Sequence, residues 1–111
     1  HLTDDVVWFE FKELCDGPRS QNDYIELARE FHAVLVSNVP QMNRHSSDLA
    51  RRFILLVDEF YDHGIKLVIS SDVDILSLYV GGPLAFEFAR TSSRLQEMQS
   101  HDYLALAHRA E

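Results

Sequence analysis

Residues 33–69 read AVLVSNVPQMNRHSSDLARRFILLVDEFYDHGIKLVI, and the fold is decided there. Ala33 to Val36 is an unbroken apolar run that ends in the polar turn Ser37-Asn38-Val39-Pro40. A short run without alternation is the pattern of a strand buried on both faces of a parallel sheet. After the polar loop Gln41 to Ser47, Ser47 or Asp48 is placed to cap a helix. Leu49, Phe53, Leu56, Val57 and Phe60 then recur at helical spacing from Asp48 to His63, and Gly64 stands where a C-terminal cap belongs. Ile65 to Ile69 repeats the buried-strand run. The stretch predicts a βαβ unit: neighbouring parallel strands joined by a right-handed helical crossover.

Outward from this unit the same alternation continues. Val6 to Phe11, VVWFEF, is aromatic and β-branched and predicts a strand. Gly17-Pro18 breaks the chain, and Tyr24, Leu27, Ala28 and Phe31 mark one face of a helix that Ser20 or Asn22 can cap. Beyond the unit, a short helical stretch from Asp74 to Tyr79 leads to the turn Gly81-Gly82-Pro83. Leu84 to Phe88, LAFEF, alternates in part and predicts a third or edge strand. Arg90 to His108 predicts a polar helix or helix pair with a thin apolar stripe. The fold class is therefore α/β: a small parallel sheet of two to three central strands flanked by helices. The organisation is one partial domain: a strand-and-turn lead-in over 1–18, an α/β segment over 19–89, and a C-terminal helical segment over 90–111. So small a parallel sheet needs covering on both sides, and few helices are present to do it, which points to a piece of a larger domain.

Composition narrows the function. The 111 residues are 46% hydrophobic and carry a formal net charge of -8, which disfavours contact with nucleic-acid phosphates over the whole surface. No apolar stretch approaches the ~20 residues of a transmembrane helix. A single cysteine, Cys15, excludes an internal disulfide and fits a reducing compartment.

Each motif has a plain reading beside a functional one. Ile54 to Glu59, ILLVDE, imitates the strand of a Walker B motif, whose acids hold Mg²⁺ and polarise water; its helical period places Asp58 and Glu59 late in a helix instead. Neither G-x-x-x-x-G-K-[ST] nor G-x-G-x-x-G occurs, so no phosphate-cradling loop is present. Glu97 and His101 share a helix face but read as an exposed polar pair, and no metal site is expected. Cys15 and His32 lack a third orienting group, so Cys15 reads as a buried thiol rather than a nucleophile. Arg90 and Arg94, at i, i+4 around Thr91-Ser92-Ser93, place two guanidinium forks on one side near a helix start, where cations oppose the macrodipole unless an anion offsets them. They are candidates for phosphate or carboxylate recognition; the plain reading pairs them with acids such as Glu87 or Glu97, and sequence physics favours it. Asn38 and Ser70, with Ser37 and Ser71, follow the carboxyl ends of two strands, the edge where open α/β sheets bind ligands.

Three strings carry a resemblance: FKELCDGPRSQNDYIELAREFHAVLVSNVP (11–40), ARRFILLVDEFYD (50–62) and FEFARTSSRLQEMQS (86–100). They resemble the C-terminal part of the ZapE family of AFG-like, AAA-type P-loop ATPases, from about Trp8 to Tyr103, and PRSQ and RTSSRLQEMQS look closer to its bacterial branch than to its mitochondrial one. Val68 to Tyr79 departs from the family pattern, which more often has alanine and proline there. The resemblance implies a parent chain that binds ATP and Mg²⁺ through motifs upstream, with no cofactor expected for this segment alone. It implies a cytoplasmic bacterial protein, peripheral at the division site, that works with the remainder of its own ATPase and meets a tubulin-like division-ring protein. A sheet cut from its parent leaves an unpaired strand edge and an uncovered apolar face, so self-association into a homo-oligomer is expected as well. AAA-type ATPases commonly bring an arginine from a late helix near the γ-phosphate; Arg90 and Arg94 are candidates for phosphate sensing or an arginine finger, with Arg51, Arg52, Asn38 and Ser70 as weaker ones. The competing expectations are an ATPase fragment, a non-enzymatic interaction module that folds independently, and a small hydrolase using Cys15 or a serine, for which no supporting constellation is present.

Overall fold

The computed structural model describes residues 6–99. Three strands, β1 (Val6–Glu10), β2 (Ala33–Val39) and β3 (Lys66–Ser71), form one sheet in the order β1-β2-β3. Both pairings are parallel: Trp8 lies opposite Leu35, and Leu35 opposite Val68. The helices are α1 (Phe11–Cys15), α2 (Gln21–Glu30), α3 (Ser47–Asp62) and α4 (Ala85–Met98), with single 3₁₀ turns at Arg44–Ser46 and Ile75–Ser77.

The element order and parallel pairing of the central βαβ unit are as the sequence predicts. β2 and β3 are parallel neighbours, and α3 runs between them with Ala50, Phe53, Leu56, Val57 and Phe60 fully buried. Gly64 takes φ 68°, the left-handed turn that lets the chain leave α3 and enter β3. Ser20 precedes α2, and its backbone N–H donates to Asp23 Oδ2 at 2.8 Å. Phe53 ties three helices together. Its ring centroid lies 5.9 Å from Phe11 of α1 and 6.0 Å from Phe88 of α4, stacked on the latter.

Three expectations are corrected. Leu84 to Phe88 is not a strand: α4 begins at Ala85. Five residues fit either period, but the next turns decide. Leu84, Phe88, Thr91, Ser92, Leu95 and Met98 are buried at helical spacing, while Phe86 is 89% exposed. Phe11 does not end β1 but starts α1, because Glu13 Oε1 accepts the Glu10 backbone N–H at 2.8 Å and turns the chain. Finally, β2 is not buried on both faces. Val34 and Val36 are buried against the helices, but Leu35 is exposed, as are Val6 and Trp8 on β1 and Val68 on β3. Leu67 of β3 is buried on the same side as Val34 and Val36.

After β3 the chain is pinned across the molecule. Met42 and Tyr79 form an isolated parallel bridge, with Met42 N donating to Leu78 O at 2.7 Å and Val80 N to Met42 O at 3.0 Å. Gly82 passes tightly here. A Cβ on it would strike the Tyr79 ring and come within 2.9 Å of the Arg44 backbone nitrogen. The Tyr79 hydroxyl in turn accepts the Leu84 N–H at 3.0 Å, which aims the chain into α4.

Candidate functional site

Two polar constellations stand out. The first joins α3 to α4. Asp58, on the fourth turn of α3, accepts from Arg94 Nη1 at 2.7 Å and from Arg90 Nη2 at 3.3 Å. Arg94 also lies over the Tyr61 ring, 4.6 Å from its centroid, and Tyr61 Oη donates to Glu97 Oε1 at 2.7 Å. That carboxylate raises the Tyr61 hydroxyl above its ordinary 10.0. The two arginines differ in access: Arg94 is 24% exposed and Arg90 61%. Their carboxylate partner is Asp58, brought in by the α3–α4 packing, rather than the helical neighbours Glu87 or Glu97. Because α4 starts at Ala85, neither arginine sits at its N-terminus. The macrodipole reason for expecting an anion beside them therefore falls away.

Asp58 and Glu59 lie within α3, as the helical period predicts, and both carboxylates accept hydrogen bonds from side chains of other helices. Glu59 is nearly buried and accepts from Gln21 Nε2 at 2.5 Å, fastening α2 to α3.

The second constellation lies at the carboxyl edge of the sheet, and its members come from all three strands. Glu10 ends β1. Its Oε1 accepts from Asn38 Nδ2 at 2.8 Å and its Oε2 from Ser37 Oγ at 2.9 Å. Trp8 Nε1 donates to Ser37 Oγ at 2.9 Å, and Asn38 N donates to Ser70 Oγ at 3.0 Å. The hydrogen bonds from Asn38 and then Ser37 hold the Glu10 carboxyl below its ordinary 4.5. Asn38 has φ 60°, where the β2–β3 register shifts between Val36 and Val39. Asparagine tolerates this left-handed conformation better than other side-chain-bearing residues. The structure thus unites Asn38 and Ser70, singled out from sequence, and adds Glu10 and Trp8. Glu10 carried no local motif, and only the pairing of β1 with β2 reveals its place.

The remaining candidates separate from both groups. Arg51 is exposed on α3. Arg52 Nη1 donates to Cys15 O at 3.1 Å and stands beside Asp16 and Asp48 at an open depression. Cys15 is fully buried, and burial pushes its thiol up to about 12, the reverse of what a nucleophile needs. His101 lies outside the described residues. The lysines among residues 6–99 are Lys12 on α1 and Lys66 at the start of β3, and neither follows a glycine-rich loop. The described residues therefore do not fit a triphosphate cradle, which needs a nest of backbone N–H groups with its lysine.

The family model for AFG1-like ATPases matches residues 1–107. The chain belongs to the AFG1-like ATPase family. Its AFG1-like sequence is 53% identical over 100 residues to the cell division protein ZapE of Escherichia coli (strain K12), covering 90% of this chain and 27% of that protein. It is 39% identical over 88 residues to lactation elevated protein 1 homolog B of Danio rerio, covering 79% of this chain and 18% of that one. An uncharacterized protein of Schizosaccharomyces pombe (strain 972) is 41% identical over 78 residues, covering 70% of this chain and 17% of that protein. No solved structure matches. The chain thus spans about a quarter or less of the length of these AFG1-like relatives. No helix among its described residues is long and apolar enough to cross a membrane.

Proposed function

We propose that this chain is the C-terminal part of an ATP-hydrolysing AAA-type ATPase that remodels or regulates a protein partner in bacterial cell division. The observation that supports this reading is the 53% identity to the Escherichia coli cell division protein along 90% of the chain. The parent uses ATP and Mg²⁺ through a phosphate loop and an acidic strand outside residues 1–111. This segment supplies neither. It contributes a packed α/β layer and, through α4, an arginine. Arg90 is the better placed of the pair, since its side chain is mostly exposed and its contact with Asp58 is long, whereas Arg94 is held by both Asp58 and Tyr61. In the assembled ATPase the Arg90 guanidinium stabilises charge developing on the transferred phosphoryl group, and removing such a group costs about 10³-fold or more in turnover. The protein works in the cytoplasm at the division site as a homo-oligomer, with a tubulin-like ring protein as partner.

Steady-state ATP hydrolysis by the full-length parent tests this, with nucleotide affinity measured separately for Arg90→Ala and Arg94→Ala. The reading expects Arg90→Ala to lose turnover while keeping affinity, and Arg94→Ala to lose stability first. A parent without ATPase activity overturns the reading. Wild-type turnover in Arg90→Ala confines that residue to its ion pair.

A further inference from the structure

Among the described residues, one face of the sheet is left bare. Trp8, Leu35 and Val68 form one cross-strand row and are 69%, 38% and 51% exposed, with Val6 beside them at 47%. Parallel sheets are found almost only with both faces covered. The topology explains why the cover is missing. The strand order β1-β2-β3 follows the chain in one direction, and successive right-handed crossovers running the same way lay their helices on the same face. The helices α2 and α3 therefore share a side, and α4 packs on α3. A layer on the other face requires a crossover running in the opposite direction, as in doubly wound sheets, and these three strands contain none.

We propose that the row Trp8, Leu35 and Val68 is the seat of an amphipathic helix from the same polypeptide, outside residues 1–111, lying antiparallel to the strands. The material exists: the chain covers only 27% of the Escherichia coli relative's length. Charge fixes the direction. Glu10, held ionised by Asn38 and Ser37, ends β1 at the carboxyl edge of this face, and Lys66 begins β3 at its amino edge. A helix antiparallel to the strands brings its positive N-terminus to Glu10 and its negative C-terminus to Lys66. A helix running the other way meets like charge at both ends. The inference does not depend on ATP hydrolysis, only on the chain's being part of a longer one.

The test is photo-crosslinking in the purified full-length parent, with benzoylphenylalanine placed in turn at Trp8, Val68, Val6 and Ser70, and at Phe86 on α4 as control. Mixing isotopically heavy and light protein separates crosslinks within a chain from those between chains. All these side chains are exposed, so folding tolerates the probe, and a circular-dichroism spectrum checks each variant. The expected result is a crosslink from Trp8 and Val68 to one peptide of the same chain outside residues 1–111, absent from Phe86. The residue captured from Ser70 precedes in sequence the one captured from Val6. A heavy–light crosslink identifies a second copy as the occupant and overturns the proposal. So does capture only within residues 1–111, no capture at all, or the same peptide captured from Phe86. Reversed order of the Ser70 and Val6 captures overturns the orientation. ATPase turnover measured on the same samples keeps this outcome distinct from that of the proposed activity.

Discussion

Removing the Asp58 carboxylate discriminates between the two arginines that share it. In Asp58→Ala, Arg94 loses a 2.7 Å charge-assisted hydrogen bond between side chains that are 19% and 24% exposed. A hydrogen bond to a charged group contributes about 1.5–3 kcal/mol, and about 2 kcal/mol is the figure for this partly buried geometry. The Arg90 contact is longer, 3.3 Å, and its guanidinium is 61% exposed. Screening reduces such a pair to about 0.5 kcal/mol or less. Asp58→Ala is therefore expected to destabilise the chain by roughly 2–3 kcal/mol, and for a domain of this size that lowers Tm by roughly 10–20 °C. Urea unfolding of the single and double variants gives the coupling energies directly. The Asp58–Arg94 cycle is expected near 2 kcal/mol and the Asp58–Arg90 cycle near 0.5 kcal/mol. An Arg90 coupling equal to or above that of Arg94 refutes the reasoning. It also removes the basis for assigning Arg90 the phosphate-facing role, since a strongly held guanidinium has to break its ion pair first.

Further outcomes follow from the packing and the titrating groups. Gly82→Ala drives a methyl into the Tyr79 ring and the Arg44 backbone, so it is expected to cost about 1–3 kcal/mol in the same unfolding assay. Phe53→Ala opens the junction of α1, α3 and α4 and is expected to cost about 3–5 kcal/mol. In an NMR titration the Glu10 carboxyl is expected below 4.5, and Asn38→Ala moves it back toward that value. Because the folded-state value is the depressed one, the stability linked to Glu10 is present above pH 4.5 and lost as pH falls through the lowered value. Cys15, buried with its thiol raised to about 12, is expected to resist alkylation at neutral pH until urea unfolds the chain.

The parts legible in the sequence are those with long, unambiguous periods. The sixteen residues of α3, flanked by matching apolar runs, carry enough turns to exclude a strand, which is why the ILLVDE imitation of a Walker B strand was separable. Leu84 to Phe88 was not separable, because five residues cannot tell period 2 from period 3.6 until Thr91, Ser92 and Leu95 are counted with them. The shortage of helices announces that part of the sheet goes uncovered, but Ala33 to Val36 by itself reads the same whether or not its far face is covered. Only the strand order shows that its helices fall on one side. The Asp58 pairing and the Glu10–Ser37–Asn38–Ser70 cluster unite residues remote in sequence. Their chemistry is written in the residues, but their proximity is written in the parallel register.

The most direct test of the account is Mg-ATP titration, by calorimetry, of residues 1–111 beside the full-length parent, followed by turnover of both. The account predicts no measurable binding or hydrolysis by the 111 residues, whose described part has no phosphate nest with a lysine, and both binding and turnover by the parent. Micromolar affinity in the segment alone, or a parent that neither binds nor hydrolyses ATP, would contradict it.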